Sequence, residues 1–506
     1  MGIPSYFKRL TESVRGLLVP SIQGSVSCLL VDFNCIVYGC LRSDALPPVP
    51  ADEDEQIGWE RLLCDEVCKT LVTIWNGAGK PKTVFLAVDG VVPMAKIKQQ
   101  RMRRFKSVWW AGKELEMGVR APGSIRWDTN AITPGTAFME RLGLRLKEFC
   151  KARGWTVSTS DEPGEGEHKV MAWLREQPSL EGAVIIYGLD ADLILLSMLT
   201  AKGACFLMRE KDEFGSKQFA TAKYLFLSVE VLRESLFPSI NLVNNRQQLL
   251  DYIALMSLLG NDFLPHGMSL KIKEGGHDEI LTLLRDFHER GLYFTENEQI
   301  NWSTFDKLFA VLSSKEEEWI FANIQKKKKA RSLPSRNETE KAMLSVQRLP
   351  VDWFEEKRFL ANTDWRSTYR QLAPDLAVTQ YKVGMQWILD YYLGKKVNLH
   401  WFYPWHLPPL WADFEGQCHA VPASVITEPP IQPQEQLALV LPMESWHLVR
   451  NPVLRAAPSS LPQFWPTKFG FMTIGKTWMW ECEADIPILL PGRLRSVAAE
   501  PNRRLS

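Results

Sequence analysis

CLLVD (28–32), TVFLAVD (83–89) and AVIIYGLD (183–190) decide the fold of this chain. Each is a β-rich apolar run of strand length, and each ends in aspartate. Amphipathic stretches lie between them, clearest over 135–153 and 165–176. Strands alternating with helices predict βαβ units and so an α/β fold, a parallel sheet flanked by helices. Further out, 249–259 (LLDYIALMSLL) is apolar almost all round and predicts a buried helix that Gly260 ends. The segment 325–341 (QKKKKARSLPSRNETEK) is charged, contains Pro and lacks apolar periodicity. The expected organisation is an N-terminal α/β domain over 1–310, a linker or exposed loop over 311–344, and a second lobe over 345–506. Ten of the nineteen Trp lie beyond 350, with Pro clusters at 429–433, 452–466 and 487–491, so that lobe reads as irregular and aromatic-rich. Most of its Trp are expected in the core. The Lys326–Lys329 run reads as a solvated loop, with a nuclear import signal as the alternative.

The 506 residues allow two to four domains at roughly 100–200 residues each. A 45% hydrophobic and 24% charged composition excludes a disordered, collagen-like or disulfide-scaffold chain. Sixty Lys+Arg against 59 Asp+Glu leave a net charge of +1, so any polyanion site must be a local patch. Nine scattered Cys with no CxxC pair predict a reduced, intracellular protein, and Cys64 and Cys68 fit a helix face better than zinc. The N-terminal stretch lacks an apolar signal-peptide region, and Tyr6 breaks the myristoylation pattern. No run of about 18 apolar residues predicts a membrane span.

Asp32, Asp89 and Asp190 fall at the carboxyl ends of the three strands, where open parallel sheets place their ligand crevice. Asp192 follows at once. Glu165 and Glu167 sit in PGEGEH at a Gly-rich helix start, and Asp262 sits in GNDF just past the apolar helix. Taken singly, an Asp after a strand is ordinarily a turn or helix cap. Seven carboxylates at element ends point instead to a shared cleft. They would repel one another and raise their own pKa values, which calls for divalent cations. All-oxygen ligation favours Mg²⁺ or Mn²⁺ over zinc. Two such ions about 4 Å apart suit phosphodiester cleavage, one activating water and the other stabilising the leaving oxygen.

GVVPMAKIKQQRMRRFK (90–106) follows Asp89, with Pro93 suited to a first helical position. At about 100° per residue, Lys96, Gln100, Arg103 and Arg104 share an arc of roughly 100°, and Met94, Ile97 and Phe105 face inward elsewhere. Guanidinium forks bind phosphate bidentately, so the stripe reads as a phosphate pocket beside the acids. The plain alternative is a solvated basic helix face.

MGIPSYF (1–7), LVDFN (30–34), VDGVVPMAKIKQQRMRRF (88–105), ITPGTAFM (132–139), PGEGEHKV (163–170), YGLDADLILL (187–196) and LLGNDFLPH (258–266) resemble, in order, motifs of the Xrn-type 5′→3′ exoribonucleases. VGMQWILDYYLG (383–394), HWFYPWHLPP (400–409), EQLALVLP (435–442) and FWPTKFGFMTIGKTWMWE (464–481) continue the resemblance. It implies a PIN/5′-nuclease-like domain over 1–310, with the second lobe completing an RNA-binding pocket. It also implies a processive enzyme of RNA degradation, such as mRNA decay. Such an enzyme releases mononucleotides from single-stranded RNA bearing a 5′-monophosphate, using two Mg²⁺ or Mn²⁺ ions.

By motif, the catalytic and metal set is Asp32, Asp89, Glu165, Glu167, Asp190, Asp192 and Asp262. The 5′-phosphate pocket is Lys96, Gln100, Arg103 and Arg104, and Tyr38 and Trp401 stack the terminal base. A one-phosphate pocket closed behind by the basic helix would exclude a cap or triphosphate. Cys35 and Tyr38 stand where the family has Gly and His, and Met94 where it commonly has Arg. The chain ends soon after the second conserved region, which implies a compact catalytic core without the long C-terminal extension. The resemblance further implies a monomer that does not engage membranes, decapping or other RNA-processing partners, and an intracellular, cytoplasmic rather than nuclear location. Two other readings stay open, a 5′ nuclease acting on DNA or flap structures and a non-catalytic RNA-binding scaffold. Release of mononucleotides from RNA but not DNA separates all three.

Overall fold

The central strands are apolar on both faces because helices cover both sides of the sheet, as parallel sheets require. In chain order the strands are β1 (Leu18–Val19), β2 (Val26–Asp32), β3 (Thr83–Ala87), β4 (Thr156–Ser158), β5 (Ala183–Tyr187), β6 (Cys205–Glu210) and β7 (Tyr224–Ser228). They pair in the order β1-β7-β6-β5-β2-β3-β4. The five strands from β4 to β6 run parallel, and β7 and β1 add an antiparallel edge. All five residues of β5 are buried. Asp32 ends the register of β2 against β3, opposite Ala87. The chain winds from β2 to β3 and β4 on one side, then crosses to β5 on the other. The switch point therefore lies between β2 and β5, where a ligand crevice opens.

The computed structural model describes residues 1–506 except 1–2, 4–5, 122, 179, 189, 201–202, 212–218, 220, 238–244, 330–333, 336, 362–363, 418, 420–427 and 504–506. The helices of the first part are α1 (Tyr6–Ser13), α2 (Asn34–Leu41), α3 (Glu53–Gly77), α4 (Met94–Glu116), α5 (Ala137–Lys151), α6 (Gly166–Glu176) and α7 (Asp192–Thr200). One face of the sheet packs on α3 and α5 through Leu29, Val31, Leu71 and Leu142. The other packs on α6, α7 and the helix Asn245–Met256. That last helix ends as its sequence predicts: a 3₁₀ turn, Ser257–Leu259, precedes Gly260 at φ +82°. Cys64 and Cys68 are buried on α3, and every described cysteine is free.

One sequence expectation needs correction. Residues 311–329, expected within a linker or exposed loop, are the greater part of a helix, Trp302–Lys329. Phe305, Leu308, Leu312, Ile320 and Ile324 form its buried stripe, and Lys327 is buried with its ammonium 2.7 Å from Glu355. The apolar spacing thus continues up to the lysine run, and that run begins on a packed helix rather than in a loop. The second region packs on the first in two places. Residues from Phe354 to Phe414 join the core under the sheet. Residues from Ile431 to Leu494 pack on Val92, Met94, Ile97, Met102 and Phe105.

α4 is therefore held on its apolar face, the one its spacing predicts. Arg101 anchors it further. This guanidinium is almost fully buried and donates to the carbonyls of Pro487 (3.1 Å), Leu439 (2.8 Å) and Phe464. Burial without an acid lowers its pKa to about 9.

Candidate active site

The acids arrive on several elements at the carboxyl edge of the sheet. Asp32 ends β2. Asp89 lies just past β3 and accepts from the Gly166 N–H (2.6 Å) and from Asn34 Nδ2 (2.9 Å). Asn34 Oδ1 in turn accepts from the Asp89 N–H (3.2 Å), so this side chain fixes both ends of Asp89. Gly166 opens α6 with no room for more: a Cβ there would meet Asp32 Oδ1 at 2.5 Å. Glu165 caps α6 and Glu167 lies in its first turn, where the helix dipole favours anions. The loop carrying them is latched to the end of β3 by reciprocal bonds, Gly90 N–H to Gly164 O and Gly164 N–H to Val91 O, both 2.8 Å. Asp190 follows β5, and Asp192 begins α7. Asp262 is set by an Asx turn, in which Asn261 Oδ1 accepts from the N–H groups of Phe263 and Leu264, both 2.9 Å.

One cavity of about 220 Å³ collects these groups. Asp32, Asp89, Glu165, Glu167, Asp190 and Asp262 line it together with Lys96, Gln100, Arg103, Arg104 and Tyr38. Asp192 lies behind the lining, almost fully buried. Asn34, Cys35, Arg42 and Ile132 complete the wall; of these the sequence marks only Cys35, as a departure from the family's Gly. Arg42 lies four residues beyond Tyr38, one helical turn, which is the signal that could have found it.

Trp401 is not brought there. It is 6% exposed and sits over Gly384, where a Cβ would meet its ring at 2.6 Å. Its indole donates to Gln380 (3.1 Å). From there a ladder of rings runs to the acids: Trp401 to Trp387 at 5.2 Å, Trp387 to Tyr391 at 4.7 Å, then the Tyr391 hydroxyl donating to Glu165 Oε1 at 2.8 Å. Trp401 thus supports the acidic wall from behind. Tyr38, 37% exposed at the rim, is the aromatic ring of the cavity itself.

The electrostatics follow from crowding. Burial, then Asp89 and Asp190, hold Asp32 well above the usual carboxylate range. Burial raises Asp89 against the opposing pull of the Gly166 N–H and Lys96. Burial also raises Glu165 and Glu167, and burial with Asp262 pushes Asp192 up to about 7. Asp190 runs the other way, to about 2, because cations, Lys96 and Arg103 among them, outweigh its burial.

Lys96 spans the cluster, with its ammonium 2.8 Å from Glu165 and 2.7 Å from Asp262. Burial alone would lower its pKa, but the carboxylates hold it well above the usual lysine value. Arg104 is buried, donates to Asn130 (3.1 Å), and burial lowers it to about 10. Glu167 Oε2, Asp192 Oδ1 and His168 Nε2 are buried with no hydrogen-bond partner among the described residues. His168 stacks on Tyr391 at 3.8 Å and stays neutral, burial taking its pKa to about 3.

The donor set fits hard divalent cations. It is anionic, oxygen-rich, self-repelling and partly unsatisfied. Glu165, Glu167 and His168 offer ligand atoms within 4.8 Å of one another.

Comparisons with known proteins identify the family. The sequence profile of the XRN 5′-3′ exonuclease N-terminus matches residues 1–211, and that of the Xrn1 helical domain matches 243–352 and 348–506. The human protein 5′-3′ exoribonuclease 1 is 27% identical across 100% of this chain and 34% of its own length. The Drosophila melanogaster 5′-3′ exoribonuclease 2 homolog is 26% identical over 98% of this chain and 70% of its own. The 5′-3′ exoribonuclease 2 of Candida albicans is 31% identical over 64% of this chain and 40% of its own. The chain thus spans about a third of the length of the human relative. A bacteriophage T5 D15 flap endonuclease covers 73% of this chain at 11% identity, with a TM-score of 0.26 too low to carry weight.

Proposed function

Because the chain belongs to the family of XRN 5′-3′ exonucleases, we propose that it hydrolyses single-stranded RNA processively from a 5′-monophosphate end, releasing mononucleotides. The observation that carries this reading is the polarity of one cavity. Carboxylates from three parallel-strand ends, the start of α6 and the Asp262 turn line it around Lys96, and Arg103 lines it about 10 Å further along α4, with Gln100, Arg104 and Arg42. A chain end whose terminal phosphate sits on the guanidinium side presents its first internal linkage to the acids. Arg103 and Arg104 on α4 then stop the terminal phosphate, so cleavage proceeds one residue at a time.

The chain's own residues divide the work. Arg103 and Arg42 carry guanidinium groups with no partner among the described residues, and these meet the terminal phosphate as charge-assisted donors. Arg104 is held in place by Asn130 and adds a third charge. Tyr38 offers its ring to the terminal base, which stacking holds without regard to sequence. Asp32, Asp89, Glu165, Glu167, Asp190, Asp192 and Asp262 would hold Mg²⁺ or Mn²⁺, probed as two ions. Bound there, the cations supply Lewis acidity for water activation and for stabilising the leaving oxygen. Asn34 and the Gly166 N–H orient Asp89, and Tyr391 orients Glu165.

The test uses Asp190→Asn. The variant should lose hydrolysis while retaining affinity for 5′-phosphorylated RNA, measured side by side with single-stranded and flap DNA. Full activity in the variant, or DNA cleaved as fast as RNA, would defeat the proposal.

A further inference from the structure

α4 continues past the cavity. Ser107, Trp110 and Glu114 extend the helical stripe of Lys96, Gln100 and Arg103, at spacings of three and four residues. A second cavity of about 310 Å³ lies on that continuation, and Arg103 lines both. Its other walls are Trp110, Lys106 and Trp480. Trp480 is 48% exposed, and one of its faces is covered by Trp478, stacked at 4.7 Å and 6°. The cations are not equivalent. Lys106 is spent on the carbonyls of Trp480 and Cys482. Arg126 pairs with Glu114 at 3.1 Å. Arg103 alone of these three has no partner among the described residues. The size is at the lower end of small-ligand cavities, about 300–1,000 Å³.

We propose that this cavity is a release site for the nucleoside 5′-monophosphate product, its base against Trp480 and Trp110 and its phosphate on Arg103. The proposal rests on the polarity given above. If the scissile linkage faces the carboxylates and the terminal phosphate faces Arg103, the helix beyond Arg103 lies upstream of the RNA 5′ end. No RNA chain continues in that direction, whereas a released mononucleotide already has its phosphate on the shared guanidinium. Trp110 lies about 10 Å further along the helix axis, at 1.5 Å per residue. A mononucleotide pivoting about its phosphate can span that distance, and its departure frees the acidic pocket for the next residue.

Photolabelling of the metal-free full chain with 8-azidoadenosine 5′-monophosphate, followed by peptide mapping, tests this. Label is expected on peptides holding Trp110 and Trp480, competed by unlabelled adenosine 5′-monophosphate. Trp480→Ala should weaken that competition on the order of ten-fold, and Trp480→Phe should restore it. Label confined to the Tyr38 region overturns the proposal. Labelling of the same peptides by an azido-base inside a 5′-phosphorylated RNA overturns it too, since the chain itself would then lie there. If the protein failed to hydrolyse RNA, the reading of the acidic pocket would fall, and the mononucleotide label would still decide this site.

Discussion

Replacing Lys96 with Met should destabilise the metal-free protein severely and in a way that cations repair. The ammonium bonds Glu165 at 2.8 Å and Asp262 at 2.7 Å, with only 11%, 4% and 5% of the three side chains exposed. Breaking a buried pair from one side costs about 3–5 kcal/mol, because the partner keeps an uncompensated charge. Here two carboxylates lose one cation, so a loss at the upper end of that range, about 5 kcal/mol, is expected at pH 8. Burial already raises Glu165, and Lys96 opposes the rise, so the substitution lifts it further. A carboxyl with a folded pKa above its unfolded value takes up its proton in the fold. Stability is therefore retained at low pH and lost as pH climbs through the folded pKa. The deficit should be larger at pH 8 than at pH 6.

Urea unfolding in chelator at both pH values, then with magnesium at about a hundred times its Kd, measures this. The metal should return about 2.7 kcal/mol. A variant with the urea midpoint of the parent in chelator, or one that magnesium leaves untouched, would refute the reasoning.

Four further outcomes are expected. Asp192 has a folded pKa of about 7, above its ordinary 3.8, so metal-free stability should fall as pH rises from about 4 to 7. The melting temperature in chelator should show that slope, reduced in Asp192→Asn and flattened by magnesium. Arg103→Ala should raise KM for 5′-monophosphorylated RNA by at least ten-fold, since a charge-assisted bond is worth about 1.5–3 kcal/mol, and should leave KM for 5′-hydroxyl RNA nearly unmoved. Trp401→Ala should cost about 3–5 kcal/mol of stability as a core truncation. Tyr38→Ala should instead weaken RNA binding by about 1–3 kcal/mol with little change in stability. Chemical denaturation and filter binding on the pair separate the two roles.

Strand-end aspartates, the GEGE turn and the basic stripe were legible in the sequence because each depends on local spacing. Their convergence depends on strand order. Nothing local to CLLVD or AVIIYGLD says that β2 and β5 are neighbours across the switch point. Three arginines stand together on α4, and residue type does not separate them. Arg101 turns into the carbonyls of the second region, Arg104 is pinned by Asn130, and Arg103 faces both cavities. The motif makes Trp401 a stacking ring, but the notch left by Gly384 seats it in the core. Lys327 hides the helix it belongs to, since its partner Glu355 lies outside any window that periodicity uses. Asn34 carries no spacing signal of its own, and the one-turn spacing of Arg42 from Tyr38 says nothing until Tyr38 is placed at the cavity. Only the placement of Asp89 and Tyr38 beside them gives them meaning.

The most direct measurement is a time course of mononucleotide release from one RNA bearing a 5′-monophosphate or a 5′-triphosphate, with magnesium and with chelator. Stepwise release from the monophosphate alone, abolished by chelator, is the predicted result. Equal degradation of both ends, internal fragments, or undiminished release in chelator would contradict a cavity in which carboxylates and guanidinium groups divide a single RNA terminus between them.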